Sequence, residues 1–269
     1  MAPQMTHPRD ELRGLVRSMR LLVASEREAG AVDVAGTPAP PVAAAPVSAA
    51  SPAPRAAARA QTVSAQTVPN HPTLVAALDL PADVLAPFGD LPARVASCRS
   101  CRLCETRTLT VFGEGTPSAR LVFCGEGPGF DEDKSGRPFV GRAGELLSDM
   151  IVKGMKMRRE DVFVLNAVKC RPPENRTPAP DEVLACKPFL AEQLAVIRPA
   201  VIVALGNPAS QALLGTVPGI TKIRGQVFEA YGAKVVPTFH PAFLLRDPSK
   251  KRETWADLQL VMRLLAPPG

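Results

Sequence analysis

Three of the six cysteines lie at regular spacing in the segment SCRSCRLC, residues 97–104. Cysteine thiols that are two residues apart can form a redox disulfide, bind a metal or remain unreacted. Neighbouring thiolates repel each other, so such a pair requires oxidation or a positively charged partner. The positions of the other three cysteines, and the sequence around them, bear on which of these applies.

The full cysteine pattern favours a shared metal or cluster site. Cys124 lies in an apolar run, which is typical of a core thiol. Cys170 and Cys186 are flanked by polar or proline-rich sequence, so the pattern reads C-x2-C, then 68 residues, then C-x15-C. Four thiolates from distant segments suit tetrahedral zinc or a [4Fe–4S] cluster, and the spacing does not distinguish the two. Scattered free thiols are the remaining alternative.

The sequence predicts a cytoplasmic protein with no membrane partner. The N-terminal residues MAPQMTHPRDELRG contain no apolar signal-peptide region, and no run of 18 or more apolar residues occurs. Cytosolic thiols are usually reduced, which disfavours a disulfide and favours metal or cluster ligation.

Charge is distributed unevenly along the chain. Residues 1–90 carry 7 basic and 8 acidic side chains, whereas residues 91–269 carry 25 and 18. A basic domain favours an anionic partner, of which nucleic acid is the commonest. A purely solubilising role for this charge is the alternative.

The N-terminal third differs in amino-acid composition from the rest of the chain. Residues 1–30 contain apolar residues at helical spacing and predict one amphipathic helix, which could dock an unknown protein. Residues 31–60 hold 13 Ala and 6 Pro, and no aromatic residue precedes Phe88. Such a composition cannot bury enough apolar surface to fold, so residues 31–85 are predicted to be a disordered, flexible linker. Residues 86–269 are predicted to form one folded domain, and the chain is expected to be a monomer.

Four apolar runs after residue 88 predict buried strands, at 121–125, 162–168, 200–206 and 234–240. Helical patterns at 141–156, 181–197 and 207–214 separate them. This alternation predicts an α/β fold with three layers, α/β/α, around a mainly parallel central sheet. In such folds the active site lies beyond the carboxyl ends of the strands, where the segments GEGPGFDED, NAVKCRPPENR and HPAFLLR follow here.

Four segments together resemble one family, the family 4 (iron–sulfur) uracil-DNA glycosylases. They are GEGPGFDEDKSGRPFVGRAGELL, LNAVKCRPPENRTPAPDEVLAC, ITKIRGQVFEAYG and FHPAFLLRDPS, and the cysteine spacing agrees with them. The resemblance covers residues 90–265 and implies a uracil-DNA glycosylase-like fold. It also implies a DNA repair enzyme that rotates uracil out of single- or double-stranded DNA and hydrolyses its N-glycosidic bond, leaving an abasic site.

The resemblance further implies that a [4Fe–4S] cluster is bound by Cys98, Cys101, Cys170 and Cys186. In that family the cluster is structural, since it ties the segment before the first strand to the loop and helix after the second. Cys104 has no counterpart among the four ligands of the family.

The chemistry requires an aromatic face, an amide that reads the base and a donor to the anionic base. The resemblance assigns these roles to Phe139, Asn166 and His240. An Asn amide can accept from uracil N3–H and donate to O4, whereas cytosine reverses both groups. A neutral imidazole at His240 would donate to uracil O2 as negative charge develops there. A core phenylalanine, a turn-capping asparagine and a structural histidine are the ordinary alternatives.

The loop GEGPGFDED is expected to contact the base and the attacking water. Gly125 and Gly127 let the backbone approach the base, and Glu126 is a candidate for activating the water. Family 1 enzymes carry an aspartate where this chain has Gly127. Glu132 resembles the family residue that crowds uracil C5 and so excludes the methyl group of thymine.

The segment HPAFLLRDPSKKR is expected to grip DNA. Leu244 is predicted to wedge into the base stack, and Arg246 to contact the DNA backbone. A solvated helix start is the alternative for the neighbouring lysines.

Two other functions fit parts of the sequence. One is a covalent or non-catalytic uracil-DNA binding protein of the same superfamily, but residues 171–185 contain no histidine for such a bond. The other is a zinc-bound nucleic-acid module without catalysis.

Overall fold

The fold is built on a six-stranded sheet. A computed structural model describes residues 82–266, and within them the strand order is β1-β3-β2-β4-β6-β5. The strands are β1 (Glu114–Gly115), β2 (Leu121–Gly125), β3 (Phe163–Asn166), β4 (Val201–Leu205), β5 (Phe228–Ala230) and β6 (Ala233–Thr238). No helix in this part of the chain has the length and apolar content to cross a membrane.

The four central strands are parallel, and the two short edge strands are antiparallel. β2 pairs with both β3 and β4, and β4 pairs with β6, all in parallel. Parallel neighbours need long crossover connections, which the helices between them provide. β1 and β5 each pair antiparallel to close the edges. The carboxyl ends of the central strands therefore meet at one edge of the sheet.

Nine α-helices accompany the sheet within residues 82–266. They are α1 (Ala82–Leu85), α2 (Leu91–Ala96), α3 (Phe130–Ser135), α4 (Arg142–Asp149), α5 (Pro180–Ile197), α6 (Gly206–Leu214), α7 (Ile220–Ile223), α8 (Pro241–Arg246) and α9 (Lys251–Leu265). One π-helical turn, Met150–Gly154, extends α4. Short 3₁₀ turns occur at Ala86–Phe88, Arg102–Glu105, Arg159–Asp161, Pro173–Asn175 and Pro248–Lys250.

Two separate apolar clusters cover the two faces of the sheet. Because side chains alternate along a strand, Val122 and Cys124 of β2 face one cluster, whereas Leu121 and Phe123 face the other. The first cluster includes residues of α2, α5 and α6, and the second includes residues of α4 and α9. The predicted three-layer α/β/α fold is confirmed.

The described part of the chain includes a short helix that precedes the predicted domain start at residue 86. Helix α1 lies within the segment 31–85 that was predicted to be a linker, and Leu85 packs against the first apolar cluster. Composition did not reveal helix α1, because its packing residue, Leu85, follows a long Ala- and Pro-rich stretch. The predicted helix at 1–30 and the rest of the linker lie outside the described residues.

A buried polar network fixes the carboxyl end of β6. Thr238 donates from Oγ1 to Asp257 Oδ2 at 2.6 Å, and Arg224 donates to both oxygens of the same carboxylate. Burial raises the pKa of Asp257, while Thr238 and Arg224 oppose this rise. The network joins α9 and the residue after α7 to the strand that leads into His240.

Candidate active site

An open pocket of about 520 Å³ lies at the carboxyl ends of the parallel strands. It receives residues from the segments after β2, β3 and β6, as expected for this class of sheet. Nine residues were predicted to take part in catalysis, base binding or DNA contact. Seven of these nine residues line the pocket, together with other loop residues. The seven are Glu126, Gly127, Glu132, Phe139, Asn166, His240 and Arg246.

Gly125 allows the recognition amide and the aromatic ring to meet. It ends β2 and pairs in register with Asn166 at the end of β3. A Cβ atom at this glycine would lie 2.3 Å from Asn166 Oδ1 and 2.5 Å from Phe139 Cζ. Any side chain here would therefore displace one of the two groups, which explains why glycine is required.

Asn166 presents a buried acceptor without a partner. The residue is 2 % exposed, and its Oδ1 makes no hydrogen bond within residues 82–266. An unsatisfied buried polar atom costs about 1–3 kcal/mol, so a ligand donor at this point would recover that cost. The backbone carbonyl of Asn166 accepts from Lys169 Nζ at 2.7 Å, which fixes the strand end.

Phe139 is held in a backbone conformation that L-residues rarely adopt. Its φ is +55°, in the left-handed region. The half-buried guanidinium of Arg159 donates to the Pro138 carbonyl at 2.9 Å and approaches that of Phe139 at 3.5 Å. Gly144 permits this arrangement, because a Cβ there would lie 1.8 Å from Phe139 O. Sequence reasoning missed Arg159, since no local motif links it to residue 139.

His240 stacks beside Phe139 and is neutral at ordinary pH. The two ring centroids are 5.7 Å apart, with 30° between the planes. His240 caps α8, and its Nδ1 accepts from Ala242 N–H at 3.1 Å. The proton of the neutral ring therefore resides on Nε2, which is left as a donor. Burial, with a smaller contribution from the charge of Arg246, lowers the His240 pKa to about 4.

Glu126 is a carboxyl group with raised basicity at the pocket wall. Burial raises its pKa, and a hydrogen bond with Thr177 partly opposes this rise. A carboxylate with a raised pKa is a stronger general base. The next residue, Gly127, has no side chain. A Cβ atom at this position would lie 2.8 Å from Val168 Cγ2.

Glu132 lines the pocket while its carboxylate binds three backbone N–H groups. The donors are Gly129 at 3.1 Å, Val140 at 3.0 Å and Gly141 at 3.2 Å. These bonds tie the start of α3 to the segment that carries Phe139. Glu132 therefore has a structural role in addition to the steric role that the sequence predicts.

The predicted wedge residue requires correction. Leu244 is 1 % exposed and packs inward from α8, whereas the adjacent Leu245 is 38 % exposed. A wedge side chain must reach the solvent to enter a base stack, so Leu245 is the better candidate. Arg246, by contrast, is exposed and lines the pocket, and its predicted contact with the DNA backbone stays a prediction.

The loop after β3 forms a further wall; the sequence placed this segment at the strand ends without assigning a role to its individual residues. Its contributing residues are Pro172, Asn175, Arg176, Thr177 and Pro178. The polar, proline-rich segment RPPENRTP directly after a strand was the available signal. The loop is anchored by Arg176, which donates to both oxygens of buried Glu182 at 2.7 and 2.8 Å. This bidentate bond lowers the Glu182 pKa.

Five cysteines surround a second cavity, whose other walls are mainly apolar. They are Cys98, Cys101, Cys104, Cys170 and Cys186. Cys104 thus borders the same cavity as the four predicted ligands. Cys124 is fully buried in β2, in agreement with its interpretation as a core thiol. Within residues 82–266, no group of three or more His, Cys, Asp or Glu is arranged to bind a single metal ion.

Two cations lie beside these thiols. Arg107 donates from Nη1 to Cys170 Sγ at 3.1 Å and from Nη2 to the Cys98 carbonyl at 2.7 Å. Lys169 is 1 % exposed; burial lowers its pKa, and the neighbouring Cys186, Cys124 and Cys170 oppose this fall. Burial raises the pKa of Cys170 to about 11, an effect that Arg107 opposes.

The chain is similar to proteins that act on uracil in DNA. The Uracil DNA glycosylase superfamily matches residues 112–259. A type-4 uracil-DNA glycosylase of Thermotoga maritima is 52% identical over 160 residues, which cover 59% of this chain and 83% of that protein. A type-4 enzyme of Sulfurisphaera tokodaii is 42% identical, covering 65% of this chain and 83% of that protein. A type-5 enzyme of Pyrobaculum aerophilum is 33% identical, covering 58% and 82% respectively.

The family match spans more than half of the chain and contains every residue of the strand-end pocket. The relatives named type-4 are matched over most of their length and at higher identity than the type-5 enzyme. The chain therefore belongs to the uracil DNA glycosylase superfamily and, within it, to the type-4 uracil-DNA glycosylases.

Proposed function

We propose that this chain removes uracil from DNA by hydrolysing the N-glycosidic bond, as a repair enzyme. The proposal rests on Asn166 Oδ1, which has no hydrogen-bond partner among the described residues, in a pocket that also holds Phe139 and His240. A buried acceptor that lacks a partner is stabilised by a ligand donor, and uracil N3–H supplies one. The membership of the chain in the family supports the same substrate.

Recognition of the base follows from the hydrogen-bonding groups of the pocket. Asn166 Oδ1 accepts from uracil N3–H, and Nδ2 donates to uracil O4. Cytosine offers an acceptor at N3 and a donor at N4, so both contacts would be lost. The ring of Phe139 stacks on the flipped base, with a contribution of about 1–3 kcal/mol. Glu132, which borders the same pocket, crowds the position of a thymine methyl group.

Bond breaking places negative charge on the base. The C1′–N1 bond breaks, and its electron pair leaves with uracil while the sugar becomes oxocarbenium-like. Nε2–H of His240 donates to uracil O2 and stabilises this charge without prior reorganisation. A water oxygen then bonds to C1′ and transfers a proton to Glu126, whose pKa is raised by burial.

An alkali-cleavage assay tests the proposal. A labelled oligonucleotide with one uracil should be cut at that position by alkali after incubation with the full chain, in both single-stranded and duplex form. An oligonucleotide with thymine at the same position should remain intact. A stable protein–DNA adduct instead of an abasic site would favour the covalent binding alternative.

We also propose that Cys98, Cys101, Cys170 and Cys186 bind a [4Fe–4S] cluster. Their position around one cavity supports this, as do Arg107 and Lys169, which would offset the negative charge of a thiolate-bound cluster. When bound, the cluster supplies a cross-link between the segment before β1, the loop after β3 and α5. Cluster ligation requires deprotonated thiols. Because burial raises the pKa of a cysteine, a nearby cation is needed to stabilise its thiolate.

Cysteine substitutions separate ligands from neighbours. We expect Cys170→Ala and Cys186→Ala to abolish the absorbance near 400 nm and to lower the soluble yield strongly, because each removes a cross-link of the fold. Cys104→Ala, the matched control at the same cavity, should retain both properties. Metal analysis that finds zinc and no iron in the parent protein would contradict the cluster assignment. A colourless Cys104→Ala protein would mean that the ligand set is wrong.

Arg159 is expected to act on the reaction through the Phe139 ring. We expect Arg159→Met to lower the single-turnover rate by about tenfold, or roughly 1.4 kcal/mol, because the left-handed turn at Phe139 loses its donors. Arg158→Met, at the adjacent exposed residue, should stay within about twofold, as surface ion pairs contribute little. In a Phe139→Leu background the Arg159 effect should largely disappear. Full additivity of the two changes would show that Arg159 does not act through this ring.

The helix predicted for residues 1–30, its docking of a partner protein and the linker predicted for residues 31–85 stay predictions. A cytoplasmic location and a monomeric state are proposed, since six free cysteines suit a reducing compartment.

A further inference from the structure

An exposed aromatic ring lies directly beside the wall of the pocket. Phe130 begins α3 and follows Gly129, which lines the pocket. The ring is 48 % exposed and belongs to neither apolar cluster of the sheet. A single exposed apolar side chain is common, so exposure alone assigns no role to it. Its neighbours provide the second observation.

Two cations from separate segments lie over the Phe130 ring. Lys134 Nζ is 4.2 Å from the ring centroid, and Arg171 Cζ is 5.1 Å from it. Lys134 is one helical turn further along α3, whereas Arg171 belongs to the loop after β3. Arg171 is fixed further by a 2.7 Å bond from Nε to Asn175 Oδ1, and Asn175 lines the pocket. The ring therefore orients both cations, and the Asn175 amide links Arg171 to the pocket wall.

Both cations keep their charge available for an anion. A cation–π contact attracts a cation without neutralising it. Neither Lys134 nor Arg171 has a carboxylate within ion-pair distance in the part of the chain that the structure describes. Two like charges over one ring repel each other, and an anion held between them would remove this repulsion.

Two of the three acids of α3, Glu132 and Asp133, are engaged in bonds to the backbone, whereas Asp131 is exposed. Glu132 binds backbone N–H groups of residues 129, 140 and 141. Asp133 is buried and accepts from Thr108 N–H at 2.9 Å. Helix α3 thus uses these carboxylates for internal bonds while Lys134 remains exposed.

We propose that Phe130, Lys134 and Arg171 form a phosphate-binding subsite for the DNA backbone beside the flipped nucleotide. The inference rests on the proposed function, because it takes DNA as the ligand of the adjacent pocket. A flipped base enters the pocket while its flanking phosphates stay outside, and the two cations lie beside residues of the pocket wall. The guanidinium and ammonium groups are the usual partners of phosphate oxygens.

The salt dependence of binding tests this subsite. The full chain and its variants are titrated with a single-stranded oligonucleotide that carries a tetrahydrofuran abasic analogue, at several salt concentrations. We expect Lys134→Gln and Arg171→Gln each to reduce the slope of log K against log[salt] by about 0.7, the value for one phosphate contact on a single strand. The single-turnover rate at saturating enzyme should stay within about twofold, since no reacting atom is contacted.

Lys234→Gln is the matched control. Lys234 is an exposed lysine at the start of β6, at the opposite end of that strand from His240, and it should leave the slope unchanged. Phe130→Leu should weaken binding at low salt, because it removes the ring that orients both cations.

Three results would overturn the subsite. They are unchanged slopes in both charge variants, an equal loss in the Lys234 control, or a loss confined to the rate at saturation. Failure of the proposed function is distinguishable from these, because the parent protein itself would then excise no uracil.

Discussion

We expect His240→Ala to lower the single-turnover rate of uracil excision by about 10²–10³, the cost of removing one donor to a developing oxyanion. The reason lies in the hydrogen bond at the other ring nitrogen. Because Nδ1 accepts from Ala242 N–H, the only proton of the neutral ring is on Nε2. The alanine variant leaves uracil O2 without this donor in the transition state, whereas the binding of the uncleaved base is weakened only a little.

Binding to product-like DNA separates this role from a structural one. His240→Ala should bind an oligonucleotide with an abasic analogue with nearly the affinity of the parent, since no base is present to contact residue 240. A loss in that affinity equal to the loss in rate would contradict a transition-state role.

The pH dependence provides an independent check on the same residue. With its pKa lowered to about 4, His240 stays neutral throughout the ordinary pH range, so the rate should show no titration near 6.5. The unfolded chain binds this proton more readily than the folded protein. The contribution of His240 to stability is therefore present above pH 6.5 and is lost as the pH falls through about 4.

We expect Asn166→Asp to lower uracil excision by about 10²-fold or more, because a carboxylate cannot donate to O4 and its burial is costly, at about 1–3 kcal/mol per unpaired group. The variant retains the shape of the side chain, so the loss reports hydrogen bonding and not packing. When protonated, the new carboxyl group matches the edge of cytosine. A trace of cytosine release at low pH is therefore expected, measured with cytosine-containing DNA.

Asn166→Ala is the companion variant for this experiment. It removes both hydrogen-bonding groups and should lose uracil excision without gaining any activity on cytosine. Rates within a few-fold of the parent for both Asn166 variants would remove this residue from the site.

The strands that carry the pocket were predictable from sequence, whereas the edges of the sheet were not. Long apolar runs identified β2, β3, β4 and β6, and with them the strand-end positions of Asn166 and His240. β1 and β5 contain only two and three residues, and their burial is partial. Segments of two or three residues are too short to show a periodic pattern. Their pairing is determined by the neighbouring strand.

The missed or corrected residues depend on tertiary contacts. Leu244 and Leu245 are adjacent and chemically identical, and only the packing of α8 decides which one is buried. Arg159 acts on a turn 20 residues away in sequence, and the left-handed conformation of Phe139 has no marker in the motif GRPFVG. Cys104 was separated from the ligands by family resemblance, although the structure brings it to the same cavity.

Release of the free base tests the central claim most directly. The full chain is incubated with duplex DNA that contains uracil at one position, and released bases and abasic sites are quantified together by mass spectrometry. Hydrolysis in the strand-end pocket predicts equal amounts of free uracil and abasic sites, with no thymine or cytosine released. Intact uracil-containing DNA after prolonged incubation with cluster-loaded protein would contradict the account.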